Sequence, residues 1–261
     1  MSESSSDGAR SRRLLCTNDD GIHAPGLQLL VEAAGELGHV SVVAPDRQQS
    51  ASSHSLTMNR PLRATQADAS SFAIDGTPTD CVLIAVNDLL AERPDFVFSG
   101  VNHGPNMGED VLYSGTVAAA MEGTILGIPS VALSSVGRSI DDIAGYRPVV
   151  QELLSSLLER DDFPPETFFN INIPDLPAAD IQGTRVTRLG RRVYSDSLTR
   201  SRDPAGREYF WIGGGRLHWR GGEDSDFGAV QAGYISVTPL HLDLTNHRLI
   251  EEVRSWKLVR S

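Results

Sequence analysis

Apolar positions come in two alternating patterns, short unbroken runs and longer stretches with a helical repeat. Residues 14–16 form a short buried run; Leu27, Leu30, Val31, Ala34 and Leu37 then recur at helical spacing up to Gly38, and residues 40–44 form the next short run. Pro25 suits a first helical turn, where its missing N–H is not needed. Strand, helix, strand in this order predicts a parallel, right-handed βαβ unit. Further strands are predicted at residues 72–75, 96–98, 128–133 and 168–173. Thr77-Pro78-Thr79-Asp80 has the order of a helix start, opening a helix with Val82, Leu83, Val86, Leu89 and Leu90. Val117-Ala118-Ala119-Ala120-Met121 reads as a helix of mostly small residues that packs close to the sheet, and residues 149–158 as an amphipathic helix.

From about Arg185 the pattern changes. Residues 185–189 and Tyr209-Phe210-Trp211-Ile212, with the turn signal Asp203-Pro204-Ala205-Gly206 between them, read as parts of a β-hairpin excursion. Gly213-Gly214-Gly215 and residues 220–224 read as flexible loops, residues 235–240 as a last strand, and residues 248–258 as a C-terminal helix with Leu249, Ile250, Val253 and Trp256 on one side. The fold expected is α/β: a three-layer α/β/α arrangement with a Rossmann-like, mostly parallel sheet, a β-hairpin excursion and a C-terminal helix. Residues 1–12 read as a disordered polar extension and 13–261 as a single domain, with about 185–261 carrying the hairpin and an oligomerisation segment.

Composition narrows the function classes. With 23 Lys plus Arg against 34 Asp plus Glu the chain carries a formal charge of −11, which argues against broad nucleic-acid binding. Cys16 and Cys81 lie inside apolar runs without metal-ligand spacing, as expected for buried, reduced thiols in the cytoplasm. No run reaches the roughly 18 apolar residues of a membrane span, and no membrane partner is expected.

Three polar loops fall at predicted strand ends, where ligands collect in open α/β sheets. These are Asn18-Asp19-Asp20-Gly21, the serine-rich segment 45–59, and residues 99–108. Adjacent carboxylates at the end of a buried strand are costly unless a cation offsets their charge, although an Asp-Asp-Gly stretch is also ordinary turn or helix-cap chemistry. Asp19, Asp20, the serine cluster headed by Ser50 and the amides of Asn102 and Asn106 make an all-oxygen set, suited to Mg²⁺, Mn²⁺ or Ca²⁺ rather than structural Zn²⁺. His23, His54 and His103 lie in or near these loops but lack metal-ligand spacing. His241, Asp243 and His247 are expected to hold the C-terminal segment in place.

The blocks TNDDGIHAPG, VVAPDRQQSASSHSLT, GTPTDCV, SGVNHGPNMGEDVLYSGTVAAAMEG and GYISVTPLHLDLT are each similar, in order and spacing, to successive blocks of the SurE (survival protein E) nucleotidases. The resemblance implies a divalent-metal-dependent 5'-nucleotidase, a phosphomonoesterase acting on nucleoside 5'- and 3'-monophosphates with one Mg²⁺ or Mn²⁺ per subunit. It implies Asp19, Asp20, Ser50 and Asn102 as metal ligands. The mechanism expected on chemical grounds is attack by a metal-activated water, with either Asp19 or Asp20 orienting or deprotonating it. Asn106 and Ser114-Gly115-Thr116 match phosphate-binding elements, in keeping with the anion affinity of a helix N-terminus. It further implies a homodimer or homotetramer with exchange of the C-terminal segment. Two rival readings are a non-catalytic metal-dependent nucleotide sensor and a haloacid-dehalogenase-type phosphatase forming an aspartyl-phosphate. The latter needs aspartates two apart, whereas Asp19 and Asp20 are adjacent.

Overall fold

The computed structural model describes residues 11–137, 143–193, 198–212, 218–256 and 258. Residues 1–10 of the expected N-terminal extension, the Gly213-Gly214-Gly215 loop and residue 257 of the expected terminal helix lie outside the described residues. In chain order the regular elements begin β1 (Arg12–Thr17), α1 (Pro25–Gly35), β2 (Gly38–Pro45), β3 (Ala64–Asp68), β4 (Ser71–Ile74), α2 (Pro78–Ile84) and β5 (Phe96–His103). They continue α3 (Gly115–Ile125), β6 (Ser130–Ser135), α4 (Arg147–Leu158), β7 (Thr167–Ile173), β8 (Thr184–Val186) and β9 (Arg191–Val193). The last are β10 (Leu198–Arg202), β11 (Glu208–Ile212), β12 (His218–Arg220), α5 (Asp226–Gln231), β13 (Ile235–His241) and α6 (Ile250–Ser255).

Nine strands form one sheet in the order β3-β4-β2-β1-β5-β6-β7-β13-β8. Its pairings are parallel except for β3 with β4 and β7 with β13. Side chains of β1 alternate between two buried faces, which is why its run reads as continuously apolar. Leu14 and Cys16 pack with Leu27, Leu30, Val150 and Leu154 on the α1–α4 side, and Leu15 packs with Cys81, Val82 and Ala119 on the α2–α3 side. That is the three-layer α/β/α arrangement expected. The chain runs outward from β1 through β2 to β4 and returns to β5 on the other side of β1, so the order reverses between β1 and β5. Ligand sites lie at such a reversal, beyond the strands' carboxyl ends.

Several expectations are corrected. Gly38 opens β2 instead of closing the first helix; a Cβ there would lie 2.4 Å from Arg12 O. Residues 99–103, expected in a loop, continue β5, with a register shift against β6 between Ser99 and Asn102. Such a bulge re-aims side chains at a sheet's end. Residues 184–186 are not part of the hairpin: β8 pairs with β13 at the sheet edge, and the hairpin is β10 with β11. The terminal helix is one short turn followed by α6, and α6 has no fully buried side chain. Thr77 and Asp80 do form the capping box that their order predicts.

Candidate metal and phosphate site

The site is built from the carboxyl ends of β1 and β5 and the loop after β2. Asn18 closes the turn after β1, donating through Nδ2 to Gly21 O (3.0 Å) and accepting from Gly21 N (3.2 Å) at Oδ1. Gly21 takes φ +103°, a backbone region that side chains with a Cβ seldom adopt. The turn leaves Asp19 buried and Asp20 half-buried on the wall of a cavity of about 700 Å³. Gln49 N donates to Asp19 O at 2.7 Å, pinning the serine-rich loop against the turn and bringing Ser50 to the same wall. Asn102 completes the group from the end of β5. Its Nδ2 donates to Gly104 O at 2.8 Å, which leaves Oδ1 as the amide atom available to a cation.

Burial pushes the Asp19 carboxyl up to about 6, and the neighbouring Asp20 charge acts in the same direction. The hydroxyl of Thr116 opposes this by donating to Asp19 Oδ1 at 2.5 Å. Two carboxylates, an amide oxygen and a hydroxyl lining one cavity are oxygen donors of the kind that suit a hard divalent cation, which would offset the cost of burying the Asp19 charge. The histidines do not converge: His54 pairs with Glu122 at 2.8 Å, His23 is exposed away from the cavity, and His103 alone lines it. Among the described residues no three His, Cys, Asp or Glu side chains gather as a metal cluster. Burial raises the Cys16 thiol to about 12 and Cys81 well above its usual value, which leaves both unreactive.

Asn106 and Ser114 line the same cavity, whereas Gly115 and Thr116 do not. Ser114 caps α3, its Oγ accepting from Val117 N at 3.1 Å. Gly115 lets the helix start press against the Asp19 turn: a Cβ there would lie 2.7 Å from Asp19 Cβ and 2.8 Å from Ser52 Oγ. Thr116 is fully buried with its hydroxyl on Asp19, so it joins the first turn of α3 to the carboxylate.

Four residues that hold the site in place, Asn170, Asn172, Ser134 and Gln48, are not legible in the sequence. Asn170 and Asn172 on β7 donate to Asn106 O at 2.7 and 3.0 Å, and Asn172 Oδ1 accepts from Asn106 N at 2.9 Å. Asn106 Nδ2 donates to Ser134 Oγ at 2.8 Å, which fixes the direction of its amide. Gln48 Nε2 donates to Ser50 Oγ at 2.9 Å and lies 3.5 Å from Asp20 Oδ1. His241, Asp243 and His247 lie outside the cavity, with Asp243 accepting from Thr245 N at 2.7 Å and paired with His247. A larger cavity of about 810 Å³ beside α4 and β13 contains none of the candidate residues.

With this geometry in view, the family described as survival protein SurE matches residues 14–196. The chain belongs to the SurE family. It is 55% identical over 250 residues to the 5'-nucleotidase SurE of Gemmatimonas aurantiaca, spanning 94% of this chain and 98% of that protein. It is 49% identical over 248 residues to the 5'-nucleotidase SurE of Geobacter sulfurreducens, spanning 94% of each. The crystal structure of the SurE protein from Aquifex aeolicus superposes with a TM-score of 0.82 at 42% identity, covering 94% of this chain and 99% of that one. The likeness to the Aquifex aeolicus protein extends over nearly the whole chain and so covers the sheet and the loops at its reversal point.

Proposed function

We propose that this chain is a divalent-metal-dependent 5'-nucleotidase that hydrolyses nucleoside 5'-monophosphates, and also 3'-monophosphates, to nucleoside and phosphate. The observation that carries the reading is the convergence of Asp19, Asp20, Ser50 and Asn102 on one wall of a cavity whose lining also holds Asn106 and Ser114. The names of the SurE relatives support the activity.

Asp19, Asp20, Ser50 and Asn102 would hold one Mg²⁺ or Mn²⁺ per subunit. Bound there, the cation supplies a Lewis acid for a phosphoryl oxygen and lowers the pKa of a water. Asn106 and Ser114, which line the cavity at the N-terminal end of α3, receive the phosphate, where the helix dipole favours negative charge. Thr116 holds Asp19 in one orientation, and Gln48 does the same for Ser50. Of the two carboxylates, Asp20 is the more accessible, which supports it as the group that orients the attacking water or takes its proton. Positioning and charge neutralisation dominate phosphoryl transfer, so a site of this kind suffices.

No helix among the described residues is long and apolar enough to cross a membrane. We place the protein in the cytoplasm, as a homodimer or homotetramer that exchanges its C-terminal segment. The hairpin and α6 support the assembly, since Phe210, Trp211 and Trp256 are exposed and α6 has no fully buried side chain. Phosphate release from a panel of nucleoside monophosphates tests the enzymatic reading, and metal-dependent nucleotide binding without release would overturn it in favour of a sensor.

A further inference from the structure

Cation ligands and phosphate donors occupy only part of the cavity wall. A volume of about 700 Å³ lies in the range of pockets that enclose a whole small molecule. Pro105, Tyr113 and Ile212 make up much of the remaining apolar lining, and the Asp110–Arg192 ion pair lies beside them. Tyr113 is 55% exposed and Ile212 is 87% exposed. Large apolar side chains left in solvent around one pocket gain most from a ligand that covers them.

We propose that Tyr113 is the nucleobase-stacking residue of this site, with Ile212 of β11 contributing a second apolar wall. The inference rests on the nucleotidase reading and names which part of the nucleotide the open end of the cavity recognises. Tyr113 directly precedes Ser114, the cap of the helix assigned to the phosphate, and a nucleotide's base lies one ribose away from its phosphate. Its backbone is pinned on both sides: Tyr113 N donates to Asp110 O at 3.0 Å, and Tyr113 O accepts from Ser53 N at 3.0 Å. The ring is therefore carried on fixed main chain beside the phosphate element, and Ser53 ties it to the loop that bears Ser50. An aromatic face accepts any base, because every base has a π-face. The site then tolerates several bases and prefers purines, which cover more of the ring.

Steady-state kinetics with AMP and ribose 5-phosphate, on the wild type and on Tyr113→Ala and Tyr113→Phe, tests this. Wild-type protein should prefer AMP. Tyr113→Ala should lower the ratio of kcat/KM for AMP to that for ribose 5-phosphate by about tenfold, and Tyr113→Phe should keep it, since the ring supplies the contact. An unaltered ratio in Tyr113→Ala, or no preference for AMP in the wild type, overturns the stacking role while leaving phosphatase activity visible on ribose 5-phosphate. A wild type that hydrolyses neither compound overturns the nucleotidase reading and this inference with it.

Discussion

Thr116 Oγ1 donates a 2.5 Å hydrogen bond to Asp19 Oδ1, joining the first turn of α3 to the end of β1 at a point closed to solvent. The helix assigned to the phosphate and the carboxylate assigned to the cation are therefore one mechanical unit. Thr116→Val keeps the shape and removes the donor. Hydrogen bonds to charged groups contribute about 1.5–3 kcal/mol, so cation affinity should fall by roughly tenfold to a hundredfold. Calorimetric titration of Mn²⁺ reads this directly, and undiminished affinity in the valine variant would show that the bond does not orient Asp19.

Gln48 acts from outside the ligand set, through its 2.9 Å bond to Ser50 Oγ. Loss of an outer partner of a metal ligand costs about 10–100-fold in affinity or activity. Gln48→Ala should weaken Mn²⁺ binding by about tenfold. Since Gln48 is exposed, its removal should leave the thermal midpoint of the metal-free protein near that of the wild type. A lowered midpoint with unaltered Mn²⁺ affinity would assign it a structural role instead.

Asp226 gives a pH test. Its carboxylate accepts from Gly108 N (2.7 Å), Gly190 N (2.8 Å) and Phe227 N (2.8 Å), and clamps the end of the Asn106 loop to α5. Burial raises its pKa above the ordinary 3.8 despite these three donors. A folded-state pKa above the unfolded one means that folding favours the protonated form. The contribution to stability is then complete below 3.8 and is lost as pH rises through the raised value. Asp226→Asn, which does not titrate, should therefore be more destabilised relative to wild type near about pH 4 than near about pH 8. Urea unfolding of both proteins at the two pH values checks the sign, and the opposite trend would contradict it.

The proposed exchange of the C-terminal segment gives a mass test. Sedimentation at micromolar concentration should give at least twice the 28.2 kDa chain mass, and deletion of the segment from Asn246 onward should lower it. A mass near a single chain for the full-length protein would refute segment exchange.

Local signals carried much of the fold. The capping box of Thr77 and Asp80 lies within one helical turn, and the unbroken apolar run Leu14-Leu15-Cys16 marks β1 as a buried strand, so both are legible without tertiary context. Residues 99–103 read as a loop because Ser99, Gly100, Asn102 and His103 lack strand-forming side chains; pairing with β6 makes them a strand. β3 is exposed throughout and gives no apolar alternation to detect. Among the site residues, Asp19, Asp20, Ser50, Asn102, Asn106 and Ser114 stand in recognisable polar blocks. Asn172 does not: it sits in a buried strand and reaches Asn106 across 66 positions of sequence, a distance that no local pattern encodes. Gln48 is hidden for another reason, as one polar residue among many in an exposed loop.

Metal removal tests the central claim most directly. Phosphate release from AMP is measured on the purified protein after exhaustive treatment with EDTA, and again after titration with Mn²⁺ or Mg²⁺. The expected result is no turnover in EDTA, recovery that saturates at one cation per subunit, and no recovery in Asp19→Asn or Asp20→Asn variants that retain the wild-type circular dichroism spectrum. Full turnover in EDTA would contradict the assignment of Asp19, Asp20, Ser50 and Asn102 as a catalytic metal site.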